Sequence, residues 1–390
     1  MKLSNYSETM RSEQKRILIQ VLLFIATFFT TTLAGAEWCY GKLFISIFPP
    51  LYNPEFTFHD FLLGMQFSVP FLAILTVHEF GHYFTALYHK VKSSLPYYIP
   101  VPPLLLSIGT MGAVIRLRSR VPSTRKNFDI GIAGPLAGFV LALGILYYGF
   151  ATLPPAEHIF TIHPEYKQYG LNYADHVYNP IDTTILNITL GKSLLFAALE
   201  KTVTDPSRVP NMHEMMHYPF LFAGFLALVF TSLNLLPIGQ LDGGHILYGF
   251  VGFRRHRIVA SVFFVAFMFY AGLGLEWIHP SQPANTLLVS IPLYGLFLYS
   301  CFSSLGFQQR DTIMYTTAVF AGQYLIMFLF PGVTGYPGWL VFGFIIGRLA
   351  GITHPPTEIE EPLDLKRKIL GWLALIVFIV SFTPQPISFP

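Results

Sequence analysis

Charge is what this chain has least of. Only 12% of its 390 residues are Asp, Glu, Lys or Arg, about half the ~25% of soluble globular domains, which excludes an ordinary soluble domain. Cysteine is almost missing as well. Cys39 and Cys301 are the only two; they fall near opposite ends of different apolar stretches, so no disulfide between them is expected. There is no internal repeat and no low-complexity tract.

Apolar residues fill the gap, at 53% of the chain. They gather into stretches at 17–35, 60–89, 129–150, 218–236, 258–275, 286–303, 313–330, 337–350 and 369–383. Most approach the ~20 apolar residues needed to cross a bilayer core. The stretch 337–350 is short and carries Arg348, so eight or nine transmembrane helices are expected, in an all-α polytopic membrane protein.

Lys and Arg positions orient the spans. With the N-terminus in the cytoplasm, nineteen basic residues fall inside and only Lys42, Lys167, Lys192, Lys201 and Arg208 fall outside, a positive-inside pattern. The net charge of +3 follows from that bias and calls for no nucleic-acid partner. A signal peptide ending at Ala34-x-Ala36 is the rival for the first stretch, but the long polar lead and the charge alternation favour a retained helix. The expected organisation is a cytoplasmic segment 1–16, a first span and outer loop 17–59, a catalytic membrane core 60–250, and C-terminal spans 251–390.

Two polar or irregular regions interrupt the core. Residues 151–217 carry seven acids, four bases and six prolines and read as a small extramembrane insert or lid, with Asn187-Ile-Thr a glycosylation sequon only in a eukaryotic secretory compartment. Residues 91–127 are apolar yet rich in Pro and Gly, which argues against a through-going helix. Alternation around Val114 to Arg118 points to a re-entrant, strand-containing element. Such backbone survives at membrane depth only where protein buries it or it lines a wet cavity.

Two stretches read His-Glu-x-x-His: His78, Glu79 and His82 in "LTVHEFGHYF", and His213, Glu214 and His217 in "NMHEMMHYPF". This spacing puts two imidazoles on one helix face, able to hold zinc, with the glutamate as base. The first lies deep in the second span. There an ionisable residue costs on the order of 2.5–3.5 kcal/mol, so three polar groups on one turn demand a partner. A third ligand is expected from "NLLPIGQLDGGH", where Pro237 stops a helix and glycines bend the chain around Asp242. His245 is the rival ligand. Two imidazoles and one carboxylate leave a zinc position open for water. The second motif lies outside the bilayer, too far along the chain for Asp242 to serve both. Asn211 with Glu214 three residues on resembles a capping box, and the match is read as coincidence.

With these residues in place, the chain resembles the site-2 protease family of intramembrane zinc metalloproteases. The resemblance rests on "HEFGHYFTA" (His78 to Ala86), "GTMGAVI" (Gly109 to Ile115), "GPLAG" (Gly134 to Gly138) and "NLLPIGQLDGGH" (Asn234 to His245), and covers about 60–250. It implies that His78, His82 and Asp242 bind one Zn2+ per chain, that Glu79 is the catalytic base, and that Asn234 contacts the substrate backbone. It also implies that Gly109, Thr110 and Gly112 belong to a membrane-embedded β element whose edge pairs with an unwound substrate. The implied substrate is a single-span transmembrane protein, cut in the cytoplasmic half of the bilayer among membrane lipid. Many members carry a PDZ domain where this chain has only the 151–217 insert. Some carry Asn where this chain has Gly138.

Two other classes compete. A metal-ion transporter needs polar groups along a path across the bilayer, and the later apolar stretches are almost free of them. An inactive membrane scaffold of the same fold is the other rival; the intact Glu79, His78, His82 and Asp242 argue against it.

Overall fold

A computed structural model describes residues 2–45, 52–104, 107–178 and 188–388. Asn187 of the sequon lies outside them. Helix dominates: α1 (Lys2–Tyr40), α2 (Phe58–Tyr88), α3 (Thr124–Ala151), α4 (Ile159–Ile162), α5 (Tyr173–Val177), α6 (Leu194–Val203), α7 (Pro219–Asn234), α8 (Asp242–Gly272), α9 (Ala284–Phe302), α10 (Gln309–Leu329), α11 (Gly338–Ile345) and α12 (Leu365–Ser381). Among the described residues there are four short strands, β1 (Tyr97–Pro100), β2 (Thr110–Val114), β3 (Thr189–Leu190) and β4 (Ile387–Ser388). Each of the nine apolar stretches falls on one of these helices. Among the described residues, five helical segments are long and apolar enough to cross a membrane: Glu13–Tyr40, Phe58–Tyr88, Thr124–Ala151, Ala284–Leu305 and Gln309–Leu329. Pro219–Asn234 and Gly338–Arg348 are shorter apolar helices. The chain is an all-α polytopic membrane protein.

Two compact units divide it, one formed by residues 1–120, 133–233 and 373–390, the other by 121–132 and 234–372. In the first unit, α2 starts cleanly because Thr57 and Asp60 form a capping box, with Thr57 N donating to Asp60 at 2.8 Å and Asp60 N to the Thr57 hydroxyl at 3.3 Å. α1 packs along it, and the hydroxyls of Thr32 and Ser68 meet at 2.7 Å in the contact, the kind of small polar tie that holds apolar helices together. α1 runs unbroken through Ala34 and Ala36, which are fully buried. Aromatic rings fill the core. Phe67 stacks on Phe222 at 5.1 Å, and Phe150 of α3 meets Phe196 of α6 edge-on at 5.0 Å.

The segment 91–127 forms an antiparallel hairpin in which Tyr97 pairs with Val114 and Tyr98 with Ala113. Its non-helical backbone is satisfied from α1. Gln20 donates to the Leu95 carbonyl (2.8 Å), Thr30 to that of Gly109 (2.6 Å) and the Trp38 indole to that of Ser107 (3.1 Å). Protein hydrogen bonds thus replace the water that the surroundings withhold. The insert has a core of its own, Ile159, Tyr166 and Tyr173, and its β3 pairs with β4 near the C-terminus, Leu190 opposite Ile387.

The second unit contains α8 to α11 with the adjoining part of α12. α8 bends at Gly252, whose φ of 73° breaks the helical run. Gln323, fully buried on α10, donates to the carbonyls of Met268 (3.1 Å) and Phe269 (3.0 Å) on α8 and accepts from the Tyr294 hydroxyl on α9 (3.2 Å). One side chain therefore ties three helices. Gln323→Leu is expected to destabilise the fold by about 1 kcal/mol, the scale of interhelical hydrogen bonds in membranes. Thermal unfolding in detergent checks this, and an unchanged midpoint would remove Gln323 as a tie. Arg367 closes the unit on another side, its guanidinium bidentate to Asp129 (2.8 and 2.6 Å) and also bonded to Asp364.

Candidate metal centre

α2 carries His78, Glu79 and His82 along one buried turn, each under 10% exposed. Four residues advance a helix by about 400°, so the imidazoles stack on one side. Their Nε2 atoms are 3.1 Å apart, and Glu79 Oε1 is 4.0 Å from His78 Nε2. Two nitrogens held by one tetrahedral ion at about 2.0–2.1 Å lie about 3.3 Å from each other. The imidazole pair fits that requirement.

α3 shapes the same place from the facing side. A Cβ at Gly134 would overlap His82 Nε2 itself, and one at Gly138 would come within 3.1 Å of His78 Cβ. The "GPLAG" stretch is therefore a bare strip of backbone that leaves room for two imidazoles, and Gly138 serves by having no side chain.

The other sequence-predicted residues take these positions. Thr110 is buried, and its hydroxyl donates to the Ile99 carbonyl across the hairpin (2.9 Å) while accepting from Gly112 N (3.0 Å). Its side chain is thus a clasp within the hairpin, and what β2 can offer a partner is backbone. Gly109 and Gly112 have φ of 81° and 100°, in the region that only glycine enters cheaply. β2 pairs with β1 on one edge, and no strand occupies its other edge among the described residues.

In the second unit, Asn234 is the last residue of α7 and Asp242 the first of α8. Seven non-helical residues with Pro237 separate them, the break that Pro237 and the glycines lead one to expect, and Asp242 opens the next helix. A carboxylate suits the positive end of a helix dipole. A Cβ at Gly243 would strike the Leu235 carbonyl, which explains the glycine beside Asp242. His245 Nδ1 lies 2.7 Å from His354 Nε2, which also contacts the Asn127 amide at 3.3 Å. His354 and Asn127 stand in no recognisable spacing to the motifs, and the sequence gives no signal for them.

The second motif corrects one expectation. Residues Met215–His217 form a single 3-10 turn. Asn211 accepts from His213 N (3.1 Å) as a local turn, and Glu214 caps nothing. Its carboxylate is buried and receives the Tyr178 hydroxyl. His213 stacks on the Tyr178 ring at 4.0 Å, away from His217. Burial lowers the His217 imidazole to about 4, so it is neutral at neutral pH, and raises the Glu214 carboxyl.

Comparison with known families gives a match that spans α2. The model of peptidase family M50 matches residues 66–275, and the chain belongs to that family, which is the site-2 protease family. Among curated proteins, "Probable zinc metalloprotease EGY1, chloroplastic" of Arabidopsis thaliana is 30% identical over 206 residues, covering 52% of this chain and 32% of that one. Its namesake from Oryza sativa subsp. japonica is 29% identical over 246 residues, 60% and 38% of the two chains. "Probable zinc metallopeptidase EGY3, chloroplastic" of Arabidopsis thaliana is 26% identical over 234 residues, 57% and 35%. The chain spans about a third of the length of these relatives. No solved structure matches it significantly.

Proposed function

We infer that the chain is an intramembrane zinc metalloprotease that hydrolyses a peptide bond in or near the transmembrane segment of a single-span protein. The observation that carries this is the buried imidazole pair of α2, with Nε2 atoms 3.1 Å apart and Glu79 beside them. His78 and His82 hold the ion, and Asp242, the third ligand that the sequence assigns, completes the set. When bound, zinc supplies Lewis acidity, lowering the pKa of a water to about 7 and polarising the scissile carbonyl. Glu79 accepts the proton of the attacking water and later delivers it to the leaving amine. Asn234 donates to the developing oxyanion or the neighbouring substrate backbone.

A transmembrane helix hides its carbonyls in its own hydrogen bonds, so the substrate must unwind near the cut. The outer edge of β2 accepts the extended segment by main-chain pairing, with Gly109, Thr110 and Gly112 fixing the shape of that edge. The N-terminus faces the cytoplasm and the metal lies in the cytoplasmic half of the bilayer; the Lys and Arg asymmetry of the sequence supports both.

The test is zinc content and cleavage of a single-span substrate by the detergent-purified chain. Asp242→Asn is expected to lose most of its α2-bound zinc and all measurable cleavage. Cleavage at the wild-type rate by Asp242→Asn would overturn the ligand set, and a zinc-loaded wild type that cuts no single-span substrate would favour an inactive scaffold.

A further inference from the structure

A second cluster of ligating groups lies wholly within the first unit, at the insert. His163 Nε2 is 3.2 Å from His217 Nε2, His217 Nε2 is 3.4 Å from Glu214 Oε2, and His163 Nε2 is 4.0 Å from Glu214 Oε2. The Glu214 side chain is 1% exposed, yet Oε2 accepts no hydrogen bond. Tyr178 donates only to its other oxygen.

The far sides of both imidazoles fix what the near sides offer. His217 Nδ1 lies 2.9 Å from the Cys39 carbonyl and His163 Nδ1 2.9 Å from the Glu165 carboxylate. Both partners are pure acceptors, so each ring, in its neutral form, carries its proton on Nδ1. Each Nε2 then presents a lone pair, and the two point at one spot together with the unpaired Glu214 oxygen. Three lone pairs converging without a positive charge between them repel. Histidines whose outer nitrogen is held by a carboxylate or carbonyl are the usual form of metal-binding imidazoles.

We propose that His163, Glu214 and His217 form a second divalent-cation site, of the zinc class, that staples the insert to the turn preceding α7. A triangle with these three sides has a circumradius of about 2.1 Å, so an ion at its centre is within zinc bonding distance of every corner. Two imidazoles and one carboxylate suit zinc better than calcium or magnesium, which seek oxygen. The ligand pattern is Glu-x-x-His on a 3-10 turn. Residues three apart eclipse there, which brings Glu214 and His217 together and turns His213 aside.

The test uses the full chain in detergent, stripped with chelator, reloaded with Zn2+ alone and dialysed. In a His78→Ala/His82→Ala background, which removes the α2 pair, one zinc per chain is expected to remain. Adding His163→Ala, or separately Glu214→Gln, is expected to bring it to none. Zinc should raise the melting midpoint of the background protein and not that of the triple variants. His163 lies outside any helix with its side chain 28% exposed, so its truncation is expected to leave the zinc-free midpoint unchanged. A background protein that binds no zinc, or a folded triple variant that binds as much as the background, overturns the proposal. Failure of the α2 assignment reads differently: the background would keep the wild-type content, and His163→Ala alone would still lower it by one.

Discussion

Glu79→Gln is expected to keep zinc on α2 and to lose two to four orders of magnitude in the rate of cleavage. The side chain is buried and 4.0 Å from His78 Nε2, and Gln has nearly its volume, so the packing of the turn is retained. What disappears is the proton acceptor of the proposed reaction. Positioned general acid–base groups contribute about 10²–10⁴-fold, and the proposed reaction uses this one twice, once on the water and once on the amine. The loss should appear in kcat, with metal content as the control. An enzyme that cuts at more than about a tenth of the wild-type rate after this change has its base elsewhere.

Gly134→Ala should be nearly as severe, by a different route. The added methyl would overlap His82 Nε2, the atom that reaches the ion in the proposed site. Either the imidazole rotates away or α3 retreats from α2. Both outcomes separate two nitrogens that now sit 3.1 Å apart. Zinc content of the α2 site and cleavage are expected to fall together, by at least tenfold, since a displacement of about 1 Å can cost 10²-fold. Gly144→Ala on the same helix is the internal control. No atom lies within 4 Å of a Cβ there, and Ala favours helix over Gly by about 1 kcal/mol, so the control should be as active as wild type. Equal loss in both would mean that α3 is merely intolerant of substitution.

Much of the framework was legible in the sequence because it rests on two periodicities. Nine apolar stretches announced nine helices, and the Pro- and Gly-rich run around "GTMGAVI" announced the hairpin that β1 and β2 form. The His78 turn was legible because it lies in the middle of a long helix, where a spacing of four has only one geometric meaning. The same five-residue pattern at His213 failed for a local reason. Pro219 begins α7, and the residue before a proline is driven out of helical backbone. Tyr218 accordingly has φ −110° and ψ 95°, which cuts the preceding turn off from the helix and leaves it 3-10. His163 was invisible for a nonlocal reason. It comes to Glu214 and His217 from about fifty residues upstream through a fold of the insert that no spacing announces. The overlap at Gly134 shows a third limit, since glycine in a membrane helix gives no hint of which side chain it makes room for.

The way the chain shares its length between two units sets an order of assembly. Residues 373–390 belong with 1–120 and 133–233, although 234–372 are made in between. Gly191 N reaches the Pro386 carbonyl at 2.9 Å, and β3 finds its only strand partner among the described residues in β4. The ribosome therefore delivers the helix with both histidines early, but the unit that contains it stays unfinished until residues 373–390 have been made. Joining ends so far apart in sequence delays completion through loop-closure entropy, and a nascent chain stalled before residue 373 would still be waiting for its last piece.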